Sequence, residues 1–304
     1  MRPPFKGMTQ MTIGFVGLGI MGLPMAMNLA RSGAPLMVWN RSPEKCQEVA
    51  ALGARVAATP RALFSACDVV ILMLAHDDAM DEVLQRGTPG FSELVRGRTL
   101  VNMGTTSAQY ATALAQEVAA VGGTYLEAPV SGSRKPAEAG QLVGMIAGDA
   151  AAIERVRPLL APMCKEVFVC GAVPGALLMK LSVNLFLITM VTGLCEATHF
   201  AREHRLDLEV FRAVLDAGPM ASSVSKVKLA KLVDGDAAPQ ASITDVLKNS
   251  RLVAEQARHA GVASPLLDIC HRLFAETEAQ GHGREDMISV VRAIEARTRA
   301  ASGG

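Results

Sequence analysis

Lys180 and Asn184 stand four residues apart in a strongly apolar stretch, so a helix there points both side chains from one face. An ammonium among apolar neighbours costs desolvation energy unless it is paired, reaches water or does chemistry. Spacing alone leaves open a lysine poised for proton transfer, one snorkelling to the surface, and one bridging two domains. A second polar group, Ser131, Gly132 and Ser133, follows the strand-like run 124–128. Open α/β sheets carry ligand loops at the carboxyl ends of their strands, and two hydroxyls with backbone amides around a glycine can hold a carboxylate. A serine-rich turn is the purely structural alternative. Thr105 and Thr106, after the run 99–103, are either ligand contacts or helix caps.

Gly17-Leu18-Gly19-Ile20-Met21-Gly22 follows the apolar run 13–16 and opens a helical stretch over 24–32, with a second strand-like run after it. The first glycine permits a tight turn, the second lets backbone approach a pyrophosphate, and the third allows close helix–strand packing at a helix N-terminus that faces the anion. Glycines alone would suit any parallel-sheet turn, but the flanking strand, helix and second strand make this a dinucleotide site. Ile20 and Met21 inside the turn, and Leu74 at the end of the run 69–74, are expected on its cofactor side.

The end of the second strand distinguishes the two dinucleotides. NAD sites usually place an acid there for the ribose 2′-hydroxyl, whereas this chain has Asn40, Arg41 and Ser42. Arginine can hold a 2′-phosphate by charge-assisted hydrogen bonds, with Asn40 and Ser42 as uncharged partners. NADP(H) is therefore the expected cofactor and NAD(H) the secondary one. Ser42 also reads as a helix cap, a role compatible with phosphate contact.

The elements that must position these groups fall into two sets. Apolar runs at 13–17, 36–40, 69–74, 99–103, 124–128, 143–147 and 167–170 alternate with helix-like segments, as strands buried on both faces do. Ser42-Pro43 and Thr59-Pro60 each place a capping hydroxyl before a proline at a helix start. After Pro174-Gly175 the strands stop, and helices are expected over 176–204, 208–216, 222–233, 242–260, 264–279 and 285–300. The fold class is thus α/β: a Rossmann-type doubly wound sheet over 11–174, an all-helical domain over 175–304, and a disordered extension over 1–10. Ser242 and Asp245 look like a capping box for the helix carrying Lys248.

Bulk properties exclude several classes. With 304 residues, half of them apolar, and a net charge of only +1, the chain has no electrostatic footprint for nucleic acid or a membrane surface. The six cysteines lack metal or disulfide-framework spacing and read as reduced thiols. The six histidines lack metal spacing, so no metal is expected. No apolar run precedes Met11, so a secretory signal is not expected and a cytoplasmic location is. The stretch 176–194 is long enough to span a bilayer but contains Lys180 and Asn184, and a buried helix with a polar site is the better reading.

Four segments in order, GLGIMGLPMAMNL at 17–29, the loop 128–133, GALLMKLSVN at 175–184 and DVLKNSRLV at 245–253, resemble the β-hydroxyacid dehydrogenase family. The resemblance runs from Thr12 to about Arg297. Asn40-Arg41-Ser42 and EAPVSGSRKPAEAGQL at 127–142 look most like its NADPH-dependent glyoxylate/succinic semialdehyde reductases. The resemblance implies that Lys180 donates a proton to a carbonyl oxygen as hydride leaves the nicotinamide, oriented by Asn184. It implies a substrate carboxylate at Ser131, Gly132 and Ser133, Thr105 at the nicotinamide ribose or substrate, Lys248 on the cofactor side, and Asn249 at the substrate rim. The substrate class is a small carboxylate-bearing aldehyde or hydroxy acid. The family also self-associates, as dimers or tetramers, through the helix that here spans 176–204. Ala241 stands where those reductases carry Phe, and Asn249 where they carry Asp. The first widens the pocket and the second removes a negative charge, which opens the site to a different substrate. Imine reductases, 3-hydroxyisobutyrate or tartronate semialdehyde dehydrogenases, and cofactor-binding relatives without turnover share this architecture.

Overall fold

The computed structural model describes residues 11–302, so the extension expected over 1–10 lies outside the described residues. Two compact units divide the chain, the first ending at Lys180 and the second beginning at Leu181. The expected boundary at 174/175 is the start of the helix Gly175–Glu203. The division therefore falls within the second turn of that helix rather than ahead of it.

In the first unit the strands are β1 (Ile13–Val16), β2 (Leu36–Trp39), β3 (Arg55–Val56), β4 (Val69–Leu72), β5 (Thr99–Asn102), β6 (Thr124–Glu127), β7 (Val130–Ser131), β8 (Leu142–Gly148) and β9 (Cys164–Val169). They form one sheet in the order β3-β2-β1-β4-β5-β6-β8-β7, with β9 on β8. β1 to β6 run parallel to one another, β8 is antiparallel to both β6 and β7, and β9 is parallel to β8. β1 pairs in register with β2 on one side and β4 on the other, so the chain reverses its direction of winding there. Such a switch point leaves a crevice beyond the carboxyl ends of the strands.

Alternate residues of one strand feed two cores. Ile13, Phe15, Leu36, Val38, Val69 and Ile71 enter one apolar cluster, and Val16, Met37, Val70 and Leu72 enter the other. Helices cover both faces, which is why the strands read as unbroken apolar runs. The two-residue strands β3 and β7 fall outside the expected runs. A stretch that short has no periodicity to detect.

The second unit is helical, with helices at Leu208–Ala217, Ser223–Asp234, Ile243–His259, Pro265–Thr277 and Val291–Ser302 after the remainder of the long helix. Its core joins Leu181, Ile188, Val191 and Cys195 of the long helix to Val246, Phe274 and Ile288 among others. Ser242 caps its helix by accepting from the Asp245 N–H at 3.1 Å. The expected reciprocal contact differs: the Ser242 hydroxyl donates to the Asp245 carboxylate at 2.7 Å. The buried-helix reading of 176–194 also needs correction. Only 33% of the most apolar 18-residue window of Gly175–Glu203 is buried, and Phe186 is 68% exposed.

Candidate active site

The glycine turn does what its spacing demands. Gly17 has φ of +97°, and a Cβ there would drive into the Met73 carbonyl oxygen. A Cβ on Gly22 would strike the Gly17 carbonyl oxygen, so the first and third glycines pack turn against helix. Gly19 has nothing within 4 Å of its Cβ position and faces outward with Ile20, while Met21 precedes the helix Gly22–Arg31. That open backbone at the start of a ten-residue helix has the geometry that can receive an anion such as a pyrophosphate.

Asn40 has a different first task from the one its position suggests. Its Oδ1 accepts from the Leu18 N–H at 2.8 Å and its Nδ2 donates to the Ser42 carbonyl at 2.9 Å. The side chain therefore braces the glycine turn against the end of β2, and Arg41 and Ser42 are the exposed groups beside it. Ser42 is not a helix cap, because the helix Glu44–Ala50 begins after Pro43 without a side-chain hydrogen bond. Thr59 does cap, accepting from the Ala62 N–H at 3.1 Å.

Beyond β4 and β5 the chain narrows the same edge. A Cβ on Gly104 would lie 2.9 Å from the Leu74 carbonyl oxygen, so the segments after these two strands touch. Asn102 holds the turn that follows, accepting from the Gly104 N–H at 2.9 Å and donating to the Tyr125 hydroxyl at 3.0 Å. Thr105 is half-buried at the edge and Thr106 is buried with its hydroxyl unpartnered among the described residues. Neither caps the next helix; Ser107 does, accepting from the Tyr110 N–H.

Ser131 lies in β7 rather than in a loop, Gly132 has φ of +131°, and Ser133 precedes the helix Arg134–Glu138 without capping it by its side chain. Leu142 and Pro136 leave no space for a Cβ on Gly132. Glu127, ending β6 just before this segment, is 1% exposed. Its Oε1 accepts from the Ala176 N–H at 2.7 Å and the Leu177 N–H at 3.2 Å, in the first turn of the long helix. Burial pushes its carboxyl up to about 7, against the lowering effect of those two amides. Four residues on from Ala176, burial pushes the Lys180 ammonium down to about 8. Sequence reasoning passes over Glu127 as a functional residue. A carboxylate at the end of an apolar strand is the one signal that could have found it.

Asn184, Lys248 and Asn249 belong to the helical unit. Asn184 is 5% exposed on the long helix, one turn after Lys180. Lys248 and Asn249 are half-buried on Ile243–His259, and the Asn249 amide donates to the Asp245 carbonyl at 2.8 Å. Ala241 packs at the margin of that unit's core, and its carbonyl accepts from the Met287 N–H. Among the described residues no group of three or more His, Cys, Asp or Glu is placed to hold a metal ion, and the six cysteines are free.

The family model for the NAD-binding domain of 6-phosphogluconate dehydrogenase matches residues 12–171. The model for the NAD-binding domain of NADP-dependent 3-hydroxyisobutyrate dehydrogenase matches residues 176–294. The chain belongs to the β-hydroxyacid dehydrogenase family. It is accordingly an NAD(P)-dependent oxidoreductase acting on CH–OH groups. The chain is 31% identical to glyoxylate/succinic semialdehyde reductase 1 of Arabidopsis thaliana over 93% of its own length and 98% of that protein. It is 31% identical to 2-hydroxy-3-oxopropionate reductase of Escherichia coli (strain K12), over 94% and 97%. The solved structure of Psf3 in complex with NADP+ and 2-OPP superposes with a TM-score of 0.83 at 26% identity, covering 93% of this chain and all of that one. The glycine turn lies within the part of the chain that the NAD-binding domain model matches.

Proposed function

We propose that this chain reduces a small, carboxylate-bearing aldehyde or keto acid, of the succinic semialdehyde or glyoxylate kind, to the hydroxy acid, with NADPH as the preferred reductant. The observation that carries the proposal is Lys180, an ammonium brought down to about 8 on a helix fastened at its first turn to the strand that leads into Ser131–Ser133. When bound, the cofactor supplies a hydride from nicotinamide C4 to the carbonyl carbon. Lys180 Nζ gives its proton to the carbonyl oxygen as negative charge develops there. A lysine near pH 8 is still protonated at neutral pH, yet releases its proton far more readily than an ordinary one. Ser131, Gly132 and Ser133 receive the carboxylate and Thr105 lies at the nicotinamide ribose or substrate; the family resemblance assigns Asn184 the orienting of the ammonium, and Lys248 and Asn249 to the same reaction. Arg41, with Ser42 beside it and no acid at the end of β2, favours the 2′-phosphate. The two reductases similar to this chain and the NADP+ complex of Psf3 support the same reading.

The long helix also suits a second copy of the chain. Met179, Val183 and Phe186 follow one another at helical spacing and are all exposed. A stripe of that kind on an otherwise soluble surface is what self-association covers.

The test is a panel of succinic semialdehyde, glyoxylate, 2-hydroxy-3-oxopropionate and a cyclic imine, each with NADPH and NADH. Lys180→Ala is expected to lose roughly a thousandfold in turnover, the scale of general acid catalysis, while NADPH affinity holds. Because reduction consumes the protonated lysine, its rate should be flat below the Lys180 pKa of about 8 and fall above it, and oxidation of the hydroxy acid should rise through the same pH. Undiminished turnover by Lys180→Ala would remove the lysine from the mechanism.

A further inference from the structure

Within the first unit the two amides that Glu127 binds belong to Ala176 and Leu177, residues 49 and 50 positions away in the chain. Ala176 is four residues before Lys180, the separation that places side chains on one helical face. On the other side, Glu127 is followed within four residues by Ser131. One carboxylate thus ties the strand that delivers the proposed carboxylate-binding segment to the helix that delivers the proposed proton donor. Other contacts bring the same turn onto the sheet: Ala176 packs with Met145 and Ala147 of β8, and a Cβ on Gly175 would strike the Cys170 carbonyl. Leu177 packs with Ala108 and Ala111. To these apolar and steric contacts the paired hydrogen bonds to Glu127 add two directed, distance-sensitive ones at the start of the helix.

The second observation concerns the other carboxylate oxygen. Oε2 is buried and has no hydrogen-bond partner among the described residues, in a side chain 1% exposed. Buried polar atoms left unpaired are uncommon, and a group retained under that cost has a reason to be there. A cap that only ended a helix would be served by Ser, Thr, Asp or Asn next to it in sequence. Here the cap comes from a distant strand, and it sits beside groups that carry no competing charge. Tyr125 on β6 and Cys170 after β9 lie near enough to feel the Glu127 charge, and burial above all, with that charge, holds both above their ordinary values.

We infer that Glu127 is a positioning residue for Lys180, fixing the rotation and depth of the first turn of the long helix relative to Ser131–Ser133. The inference rests on the reading of Lys180 as proton donor. It assigns no contact between Glu127 and substrate: Glu127 acts on Lys180 through the first helical turn, whose amides it holds.

Full-length Glu127→Ala and Glu127→Gln, with Lys180→Ala as reference, separate the possibilities. In succinic semialdehyde reduction with NADPH, Glu127→Ala is expected to lose about 10- to 100-fold in kcat, the size of a small misplacement of a catalytic group. NADPH affinity, read by nicotinamide fluorescence, is expected to stay within about threefold, since the glycine cradle is untouched. Glu127→Gln keeps an oxygen for both amides and is expected to recover most of the lost kcat. A readout free of turnover is the titration of Lys180 by NMR of 13C-methylated lysines, assigned with Lys180→Ala. Glu127→Ala should move it up toward the ordinary lysine value, and Glu127→Gln should leave it in place. Wild-type kcat and an unmoved Lys180 titration in folded Glu127→Ala would overturn the inference, as would Glu127→Gln behaving like Glu127→Ala. If Glu127→Ala does not fold, Glu127→Gln decides alone: near wild-type kcat and Lys180 titration support the tether, and loss of either overturns it. Turnover surviving in Lys180→Ala defeats the proton-donor reading instead, a result distinct from any of these.

Discussion

Glu127 in the sheet unit and Asp286 in the helical unit are both carboxylates withdrawn from water, at 1% and 0% exposure, yet their surroundings differ in kind. Asp286 faces a full cation, with Lys228 Nζ at 2.7 and 2.8 Å from its two oxygens. The Gln240 N–H adds a bond at 2.8 Å to one oxygen and the Ile288 N–H another at 3.3 Å to its neighbour. Both oxygens are satisfied, and the pair ties the helix Ser223–Asp234 to the segment carrying Ala241. Glu127 faces only two helix amides on one oxygen and nothing on the other among the described residues. A helix end supplies about half a unit charge, less than a cation supplies. That shortfall is why burial wins at Glu127 and raises its carboxyl to about 7. Pairing on both oxygens ties two segments of the helical unit together, whereas pairing on one oxygen leaves burial to dominate at Glu127.

The most direct way to break this comparison is to remove Asp286. Asp286→Ala leaves Lys228 buried without its partner and should cost roughly 3–5 kcal/mol in denaturant unfolding of the helical unit. A loss below about 1 kcal/mol would place the pair among ion pairs that contribute little. Next in size is the pH linkage of Glu127. Its carboxyl lies above the ordinary 4.5 in the folded chain, so the folded state holds the proton more tightly than the unfolded one. The resulting stability is fully present below pH 4.5 and is lost as pH rises through about 7. At about 1.4 kcal/mol per pH unit over that interval, the loss is about 3 kcal/mol. Unfolding measured across this pH range should show a decline in the wild type that Glu127→Gln removes; an unchanged decline in the variant would assign it to other groups. The smallest effect belongs to an exposed carboxylate. Glu276 meets Arg297 through two hydrogen bonds, at 3.1 and 2.7 Å, with both side chains largely in solvent. Glu276→Ala should cost no more than about 1 kcal/mol and should matter less at high salt.

The glycine turn was legible because most of its geometry is local: Gly17 takes a positive φ and a Cβ on Gly22 would strike the Gly17 carbonyl oxygen, while the close approach of Gly17 to Met73 depends on how β1 and β4 lie side by side. The alternating cores were equally legible, since a strand buried on both faces must be apolar throughout. Asn40 was half legible: the sequence gives its type and its place at the end of β2, but its commitment to Leu18 and Ser42 depends on how β1 and β2 lie side by side. The long helix misled in one respect: its apolar composition reads as burial, whereas only 33% of its most apolar window is buried and Phe186 is exposed.

From the sequence by itself came the alternation of strands and helices, the dinucleotide turn, the missing acid after β2 and a lysine in an apolar helix. Each follows from composition and spacing over a few residues. Tertiary structure alone brought Glu127 to the start of that helix and Asp286 to Lys228, which lie 49 and 58 positions apart in the chain. Whether a buried charge is fully or partly compensated depends on partners so distant in sequence, because burial and hydrogen bonding are set by proximity in space.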